Sequence, residues 1–465
     1  MAISAARKIA YEVLRRVEAE GAYASDLLHA ELGANVKPED AGLATEIVFG
    51  VLRWQRQLDF LLDRRMKKSV ARLDVPVAVA LRMGIYQLRF LNRVPARAVV
   101  NESVEIVKYA RKTSAGTLVN AVLRRAAGEA KTQVAAFLPK DEILSEQIGL
   151  LHSHPTWMVE RWLARMGELE TTALLEANNR SPRLSCAIHD ESRRAEILAD
   201  LKKSGLRIEP GLLLKSSFSV GGGSPSRTEA FRDGEISIQD EASQIVPLLL
   251  DVQAGDRVLD LCAAPGGKTP TLVRSAGENG IVVAGERHAH RIRAMREQLK
   301  RLHLLKVQLV ELDAEKELPF SARFDRILVD APCSGTGTVA RHPEIRWRLK
   351  AEQLAEFHDL QCSLLANALE MLAPGGRLVY STCSMEPEEN EDVVDEVLKE
   401  RAGFSRVAEG RVTDSLRGRL AEGVDANSLF DGDGYFRTAP HTQRTDGFFA
   451  AIIERNKTQA VVERD

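Results

Sequence analysis

Two cysteines stand in short polar motifs suited to nucleophilic chemistry: Cys333 in Asp330-Ala-Pro-Cys-Ser-Gly-Thr-Gly337 and Cys383 in Tyr380-Ser-Thr-Cys-Ser384. Methylation of a cytosine at C5 needs such a thiol, because C5 is a poor nucleophile until C6 is attacked and the ring becomes an enamine. A thiol with the ordinary pKa is only about 3% ionised at pH 7, so the site must favour the thiolate. Lys268 is a candidate for that charge. On residue types alone, either thiol can be the one that attacks.

A third motif, Asp260-Leu-Cys-Ala-Ala-Pro-Gly-Gly-Lys-Thr269, precedes a helix. Adjacent glycines let the backbone turn sharply and approach a ligand, and the helix start behind them supplies free N–H groups. The motif is neither GxxxxGK[ST] nor GxGxxG, which points to a cofactor without a pyrophosphate. Glu286 follows the next strand, where a carboxylate can take both hydroxyls of a ribose. Asp313 follows the third strand and can accept from an adenine amino group. Together these residues describe a nucleoside site for S-adenosylmethionine. Cys262 lies in the loop and touches a ligand through its backbone only.

These motifs need strands to end at a common rim. Six apolar runs predict them: Arg257–Leu261, Ile281–Ala284, Val307–Val310, Phe324–Val329, Arg377–Tyr380 and Gly447–Ile453. Alternation with longer helical stretches predicts a parallel sheet with crossovers, whose carboxyl ends carry the ligands. Cys333 and Cys383 then sit on neighbouring strand ends. Cys186, in a strand at Leu184–Ile188, and Cys362, in a helix around LQCSLLANALEML, read as packing residues. His152, His154, His288, His290, His303 and His358 form no metal set with the cysteines, so no metal is expected.

The 465 residues, 44% hydrophobic and 28% charged, suit a globular protein of roughly three domains. Residues 1–135 read as helices, with apolar positions such as Leu58, Leu61 and Leu62 and a helix start at Lys37-Pro38-Glu39-Asp40. Residues 145–235 read as a small α+β connector, with a helix carrying Trp157 and Trp162, another near 191–204, and a turn at VGGGSPSRT (220–228). Residues 236–456 form the α/β part. The first 130 residues carry a net charge of +7 against −9 for the rest, so a polyanion is expected to be gripped at the front. An amphipathic start, no run of about 18 apolar residues and five unpaired cysteines predict a reduced cytoplasmic protein without a membrane span. The final dozen residues, ERNKTQAVVERD, are polar and expected to fray.

The chain resembles the RNA cytosine-5 methyltransferase family over nearly its whole length, most closely its bacterial branch acting on 16S ribosomal RNA. The resemblance rests on CAAPGGKT (262–269), DAPCSGTG (330–337) followed by RHPEIRW (341–347), and STCS (381–384) followed by PEEN (387–390). HPTWMVERW (154–162), LLEANNRSP (174–182) and QDEASQ (239–244) resemble its linker and the approach to its catalytic domain. The N-terminal helices resemble the RNA-binding protein NusB. The fold implied is an all-α NusB-like domain, an α+β connector and a Rossmann-like class I methyltransferase domain, as a monomer.

The resemblance further implies that Cys262, Ala263, Ala264, Pro265, Gly266, Gly267, Lys268, Glu286, Asp313 and Asp330 bind the cofactor. It makes Cys383 the attacking thiol, since this family uses the Thr-Cys motif and DNA cytosine methyltransferases the Pro-Cys one. Cys333 then assists breakdown of the adduct, and Asp330 hydrogen-bonds the cytosine edge. Glu286 departs from the family's usual Asp by one methylene, and the ribose contact is expected to survive.

Overall fold

The computed structural model describes residues 3–33, 36–129, 131–138, 142–407, 413 and 416–457. The chain divides into two compact units, Met1–Ser181 with Val339–Leu349, and Pro182–Thr338 with Lys350–Asp465.

The first unit is helical, with its longest helices at Ala5–Glu20, Pro38–Asp63, Val75–Phe90, Ala96–Tyr109, Gly116–Gly128 and Thr156–Asn178. Ala6, Ala10, Val13, Leu14 and Val17 bury one stripe of the first of these, the spacing of an amphipathic helix. Pro38 occupies the first turn of its helix with Glu39 and Asp40 beside it, where a missing N–H costs nothing and acids suit the dipole. Gly50 lets that helix approach Val75–Phe90: a Cβ there would fall 1.9 Å from Tyr86 Cζ. Leu58, Leu61, Leu62 and Trp162 are fully buried, as their spacing predicts.

Part of the RHPEIRW block belongs to this helical unit. Arg346 is fully buried, and its guanidinium donates to the carbonyls of Ser153 and Asn178, both at 3.1 Å, and to Asn179 Oδ1 at 2.9 Å. Trp347 Nε1 donates to Leu52 O at 2.6 Å, and Ala24 N–H to Glu344 Oε1 at 2.9 Å. The two terminal nitrogens of this buried guanidinium are satisfied in this way, while its Nε has no partner among the described residues, so hydrogen bonds anchor the segment and offset most of the cost of burial.

The second unit opens with a four-stranded antiparallel sheet. Its strands are β1 (Leu184–Ile188), β2 (Arg207–Pro210), β3 (Ser217–Gly221) and β4 (Ile236–Ile238), in the order β2-β3-β1-β4. Cys186 is fully buried in β1, consistent with a packing role. Of these strands only β1 is legible in the sequence. β2 is largely exposed and β4 has three residues, too little for alternation to show.

The larger sheet contains β5 (Arg257–Asp260), β6 (Ile281–Glu286), β7 (Gln308–Glu311), β8 (Phe324–Asp330), β9 (Leu372–Thr382), β10 (Phe404–Arg406), β11 (Phe436–Thr438) and β12 (Phe448–Arg455). The order β10-β12-β9-β8-β5-β6-β7 has β11 also pairing with β12. β5 to β9 are parallel, and all but the edge strand β7 are buried on both faces: Leu259, Val283, Ile327 and Leu378 pack on one side, Val258, Val282, Leu328 and Val379 on the other. That explains their continuous apolar runs. Each such Leu or Ile contributes about 1.5–3 kcal/mol on burial.

One expectation is corrected here: β12, grouped with the parallel strands, runs antiparallel to β9, β10 and β11. It follows β11 through a short loop, and only a long crossover can make consecutive strands parallel. The polar tail also begins later than predicted, since Glu454 and Arg455 close β12; residues 458–465 lie outside the described residues. Among the described residues, no helix is long and apolar enough to cross a membrane.

The chain lays down β5, β6 and β7 outward and then returns to place β8 on the other side of β5. The order of the strands therefore reverses between β5 and β8, and open α/β sheets bind their ligands outside the carboxyl ends at such a point.

Candidate active site

All of the predicted site residues fall at this rim, in the second unit. The loop Cys262–Lys268 leaves β5, Glu286 ends β6, Asp313 follows β7, Asp330 ends β8, Cys333 follows β8 and Cys383 follows β9. Backbone hydrogen bonds tie the loops together. Ala263 N–H donates to Gly285 O at 2.9 Å, Leu312 N–H to Glu286 O at 3.1 Å, and Ala331 N–H to Ser381 O at 2.8 Å.

On the cofactor side, Gly266 has φ +93°, a conformation natural to glycine, and a Cβ there would come 2.9 Å from Met295 Cγ. Glu286 is buried, with one carboxylate oxygen accepting from His288 N–H at 2.9 Å and the other 3.1 Å from Arg291. Arg291 also donates to Ala264 O at 2.7 Å, joining the glycine loop to the acidic strand end. Asp313 is paired with Lys316 at 3.3 Å and Arg287 at 3.8 Å. Beneath the loop, Asp260 Oδ2 accepts from Thr269 Oγ1 at 2.7 Å, while the buried Oδ1 has no partner among the described residues.

On the thiol side, Cys333 Sγ and Cys383 Sγ lie 3.3 Å apart. The neighbouring Cys383 thiol and then burial hold the Cys333 thiol well above its ordinary range. Asp330 carries two donors: Lys268 Nζ at 2.5 Å on Oδ2 and Ser381 Oγ at 2.9 Å on Oδ1. Lys268, expected to promote ionisation of a thiol, instead has its ammonium on Asp330. Its other close neighbour is the Phe448 ring, at 5.1 Å. Burial, with the charges of Asp260, Asp330 and Glu286 added, pushes the Cys262 thiol up.

The chain matches the family model described as 16S rRNA methyltransferase RsmB/F over residues 247–454, the NusB family over 4–128, and an RsmF/B-like ferredoxin-like domain over 154–222. A probable ribosomal RNA small subunit methyltransferase B of Bacillus subtilis is 32% identical over 456 residues, covering 97% of this chain and 98% of its own. The chain belongs to the RsmB/F family of 16S rRNA methyltransferases. The ribosomal RNA small subunit methyltransferase B of Pseudomonas syringae pv. tomato is 35% identical over 377 residues, covering 79% of this chain and 81% of its own. The solved structure of PH0851, 24% identical with a TM-score of 0.80 over 98% of this chain and all (100%) of its own, has the same fold. A methyltransferase homologue from Pyrococcus horikoshii is 29% identical, with a TM-score of 0.56 over 68% of this chain and 99% of its own.

Membership of the RsmB/F family makes S-adenosylmethionine the cofactor, and the rim suits it. The unpartnered Asp260 Oδ1 awaits a donor, Glu286 and Asp313 offer acceptors, and the glycine loop admits close approach. The connector expected as α+β is the family's ferredoxin-like domain, and the helical front is its NusB domain.

Several residues that organise this RsmB/F site escape sequence reasoning. Glu389 is fully buried and accepts from Ser334 N–H at 2.7 Å, from Gln361 Nε2 at 3.2 Å, and from the hydroxyls of Ser334 and Ser384. Thus one carboxylate holds the loops of both thiols. The only signal for it was the PEEN block, which carries no chemistry of its own until folded.

Two expected results follow from this geometry. Burial pushes the Asp260 carboxyl up to about 7 from an ordinary 3.8. The folded chain therefore holds that proton more tightly than the unfolded chain, and stability falls as pH rises from about 4 to about 7, by at most on the order of 4 kcal/mol. Asp260→Asn should flatten Tm against pH across that window, as read by calorimetry; an unchanged slope would refute the assignment. Gly337 has no room for a side chain, because a Cβ would meet Gly447 O at 2.2 Å and Cys383 O at 2.8 Å. Gly337→Ala must displace the Cys383 backbone, and a shift of about 1 Å costs on the order of 10²-fold in turnover. Single-turnover kinetics at saturating cofactor would measure it.

Proposed function

We propose that this chain methylates C5 of a cytosine in 16S ribosomal RNA, with Cys383 as the covalent nucleophile. The observation that carries this reading is the pair of thiols 3.3 Å apart at the carboxyl ends of two adjacent parallel strands, beside Asp330 and the glycine loop. A methyltransferase acting on an exposed nitrogen or oxygen has no use for two sulfurs there, whereas C5 of cytosine requires one to activate the ring and is served by a second group to release it.

Cys383 Sγ forms a bond to C6, which makes C5 an enamine carbon. Asp330, its carboxylate oriented by Lys268 and Ser381, hydrogen-bonds the base edge as the enamine forms. S-adenosylmethionine, when bound, supplies the electrophilic methyl group. Cys333 then helps remove the C5 proton, and the electrons left in the ring expel Cys383 Sγ from C6. The loop residues Cys262 to Lys268 hold the cofactor by backbone, Glu286 its ribose and Asp313 its adenine.

The target base must be single-stranded or flipped out, since a stacked cytosine cannot present C6 to a thiol. The basic helical unit grips the neighbouring phosphates. Among its exposed cations are Lys67, Lys68, Arg72, Arg93, Arg97 and Arg124. Arg93→Ala/Arg97→Ala should weaken RNA binding and lower the slope of log affinity against log salt by about 0.7–0.9 for each phosphate that is no longer neutralised. A fluorescence-anisotropy titration at several salt concentrations reads it, and an unchanged slope would exclude these two residues from the RNA surface. The chain acts as a cytoplasmic monomer in this reading.

Bisulfite sequencing of small-subunit ribosomal RNA from a strain lacking the gene tests the function directly. Loss of methylation at one cytosine, restored by the intact gene and not by Cys383→Ala, is the expected result. Unchanged 16S rRNA would overturn it.

A further inference from the structure

The helix Gln353–Glu370 lies against the helix Glu391–Lys399, on the side of the larger sheet that also carries Gln361 and Glu389. His358 and Cys362 are four residues apart on the first helix, hence on one face, and Asp392 and Glu396 are four apart on the second. Two facing helices with such pairs are the arrangement from which helix bundles build metal sites. Sequence reasoning places His358 in no metal set and Cys362 in packing, because it looks for ligands close to the catalytic cysteines.

The imidazole is oriented as a ligand would be. His358 Nδ1 lies 2.7 Å from the Glu388 carbonyl and donates to it, which turns Nε2 toward the other two groups. Nε2 is 3.0 Å from Glu396 Oε2 and 3.5 Å from Cys362 Sγ, and the three donor atoms all lie within 4.8 Å of one another. Ligand atoms bound to one tetrahedral zinc at about 2.0–2.3 Å stand roughly 3.3–3.7 Å apart. The nitrogen–sulfur separation already has that value, and the exposed Glu396 carboxylate can adjust to it. Asp359 adds negative charge around the imidazole and the thiol.

We propose that His358, Cys362 and Glu396 bind a divalent cation of the zinc class, which clamps the two helices together. The mixed nitrogen, sulfur and oxygen set selects a borderline ion rather than Mg²⁺ or Ca²⁺, which take oxygen ligands. The role is structural and separate from methyl transfer. Its effect reaches the rim through Gln361, the residue before Cys362, and through Glu388, the residue before Glu389.

Cobalt(II) added to the purified full chain tests this, since a cysteine-bound tetrahedral cobalt gives a thiolate charge-transfer band and strong visible bands. We expect one equivalent to bind with both features, and zinc to abolish them by displacement. The charge-transfer band should disappear in Cys362→Ser and persist in Cys333→Ser/Cys383→Ser. Glu396→Gln, at an exposed position that cannot disturb folding, should weaken cobalt binding at least about tenfold. No band in the intact chain, a band that survives Cys362→Ser, a band that vanishes with the catalytic pair, or full affinity in Glu396→Gln would each overturn the proposal.

Discussion

Cys383→Ala is expected to lower methyl transfer by about 10⁴-fold or more, because without attack on C6 the C5 carbon cannot accept a methyl group and no other route is open. Cofactor affinity should remain, since Cys383 lies beyond the loop, Glu286 and Asp313. Cys333→Ala has a different signature. Attack and methylation proceed, release does not, and a covalent RNA–protein species accumulates that survives a denaturing gel. The two sulfurs are neighbours at 3.3 Å, so position alone does not separate their roles. The gel does. An adduct that persists in Cys383→Ala and is absent from Cys333→Ala would exchange the assignments.

Glu389→Ala should be the most damaging substitution of a residue with no place in the chemistry. Its carboxylate satisfies the Ser334 N–H, the Ser334 and Ser384 hydroxyls and the Gln361 amide in a fully buried position. Removing it leaves the Ser334 N–H without its acceptor and the two hydroxyls with only each other and Thr336, while Gln361 keeps Pro332 O at 2.9 Å; the cost is about 1–3 kcal/mol for each buried group that finds no partner. A loss of several kcal/mol in chemical denaturation is the expected result. Ser334 and Ser384 each adjoin a thiol, so single-turnover rates should fall by roughly 10² as well, the cost of about 1 Å of misplacement. Glu389→Gln keeps one acceptor oxygen and should recover part of both. A variant with full turnover and reduced stability would mean that the carboxylate supports the fold without positioning the thiols.

The catalytic half of this protein is unusually legible because its central strands β5, β6, β8 and β9 are buried on both faces. Such strands read as apolar runs, and their carboxyl ends fall where the runs stop. Glu286, Asp330 and the two cysteines are placed at strand ends in this way. The connector is less legible: β2 is largely exposed and β4 is three residues long, so neither imposes a periodicity. The direction of β12 was also hidden, since an apolar run carries no sign of whether its partner lies parallel or antiparallel.

The residues of RHPEIRW show the limit from another side. Between two catalytic stretches in sequence, they read as part of the catalytic domain, yet Arg346 is buried among carbonyls of the helical unit. Nothing in an arginine's neighbours along the chain tells which backbone oxygens will surround it. The same holds for Lys268, whose charge suggested help for a thiol and whose ammonium is bound by Asp330. His358 and Cys362 were visible singly, and their helical spacing was a signal that could have been read.

The sequence by itself determined the types of group available and their order along the strands: two thiols, a glycine loop, and acids at successive strand ends. Those follow from local rules, because strand ends and glycine turns are set by neighbouring residues. Only the tertiary structure decided which groups meet. The 3.3 Å between the sulfurs, the Asp330 clamp by Lys268 and Ser381, and the four donors gathered on Glu389 join residues 50 or more positions apart, except Ser384 and Gln361. Long-range contacts are set by how two loops leave adjacent parallel strands, and that depends on the order of strands in the sheet rather than on any stretch of sequence.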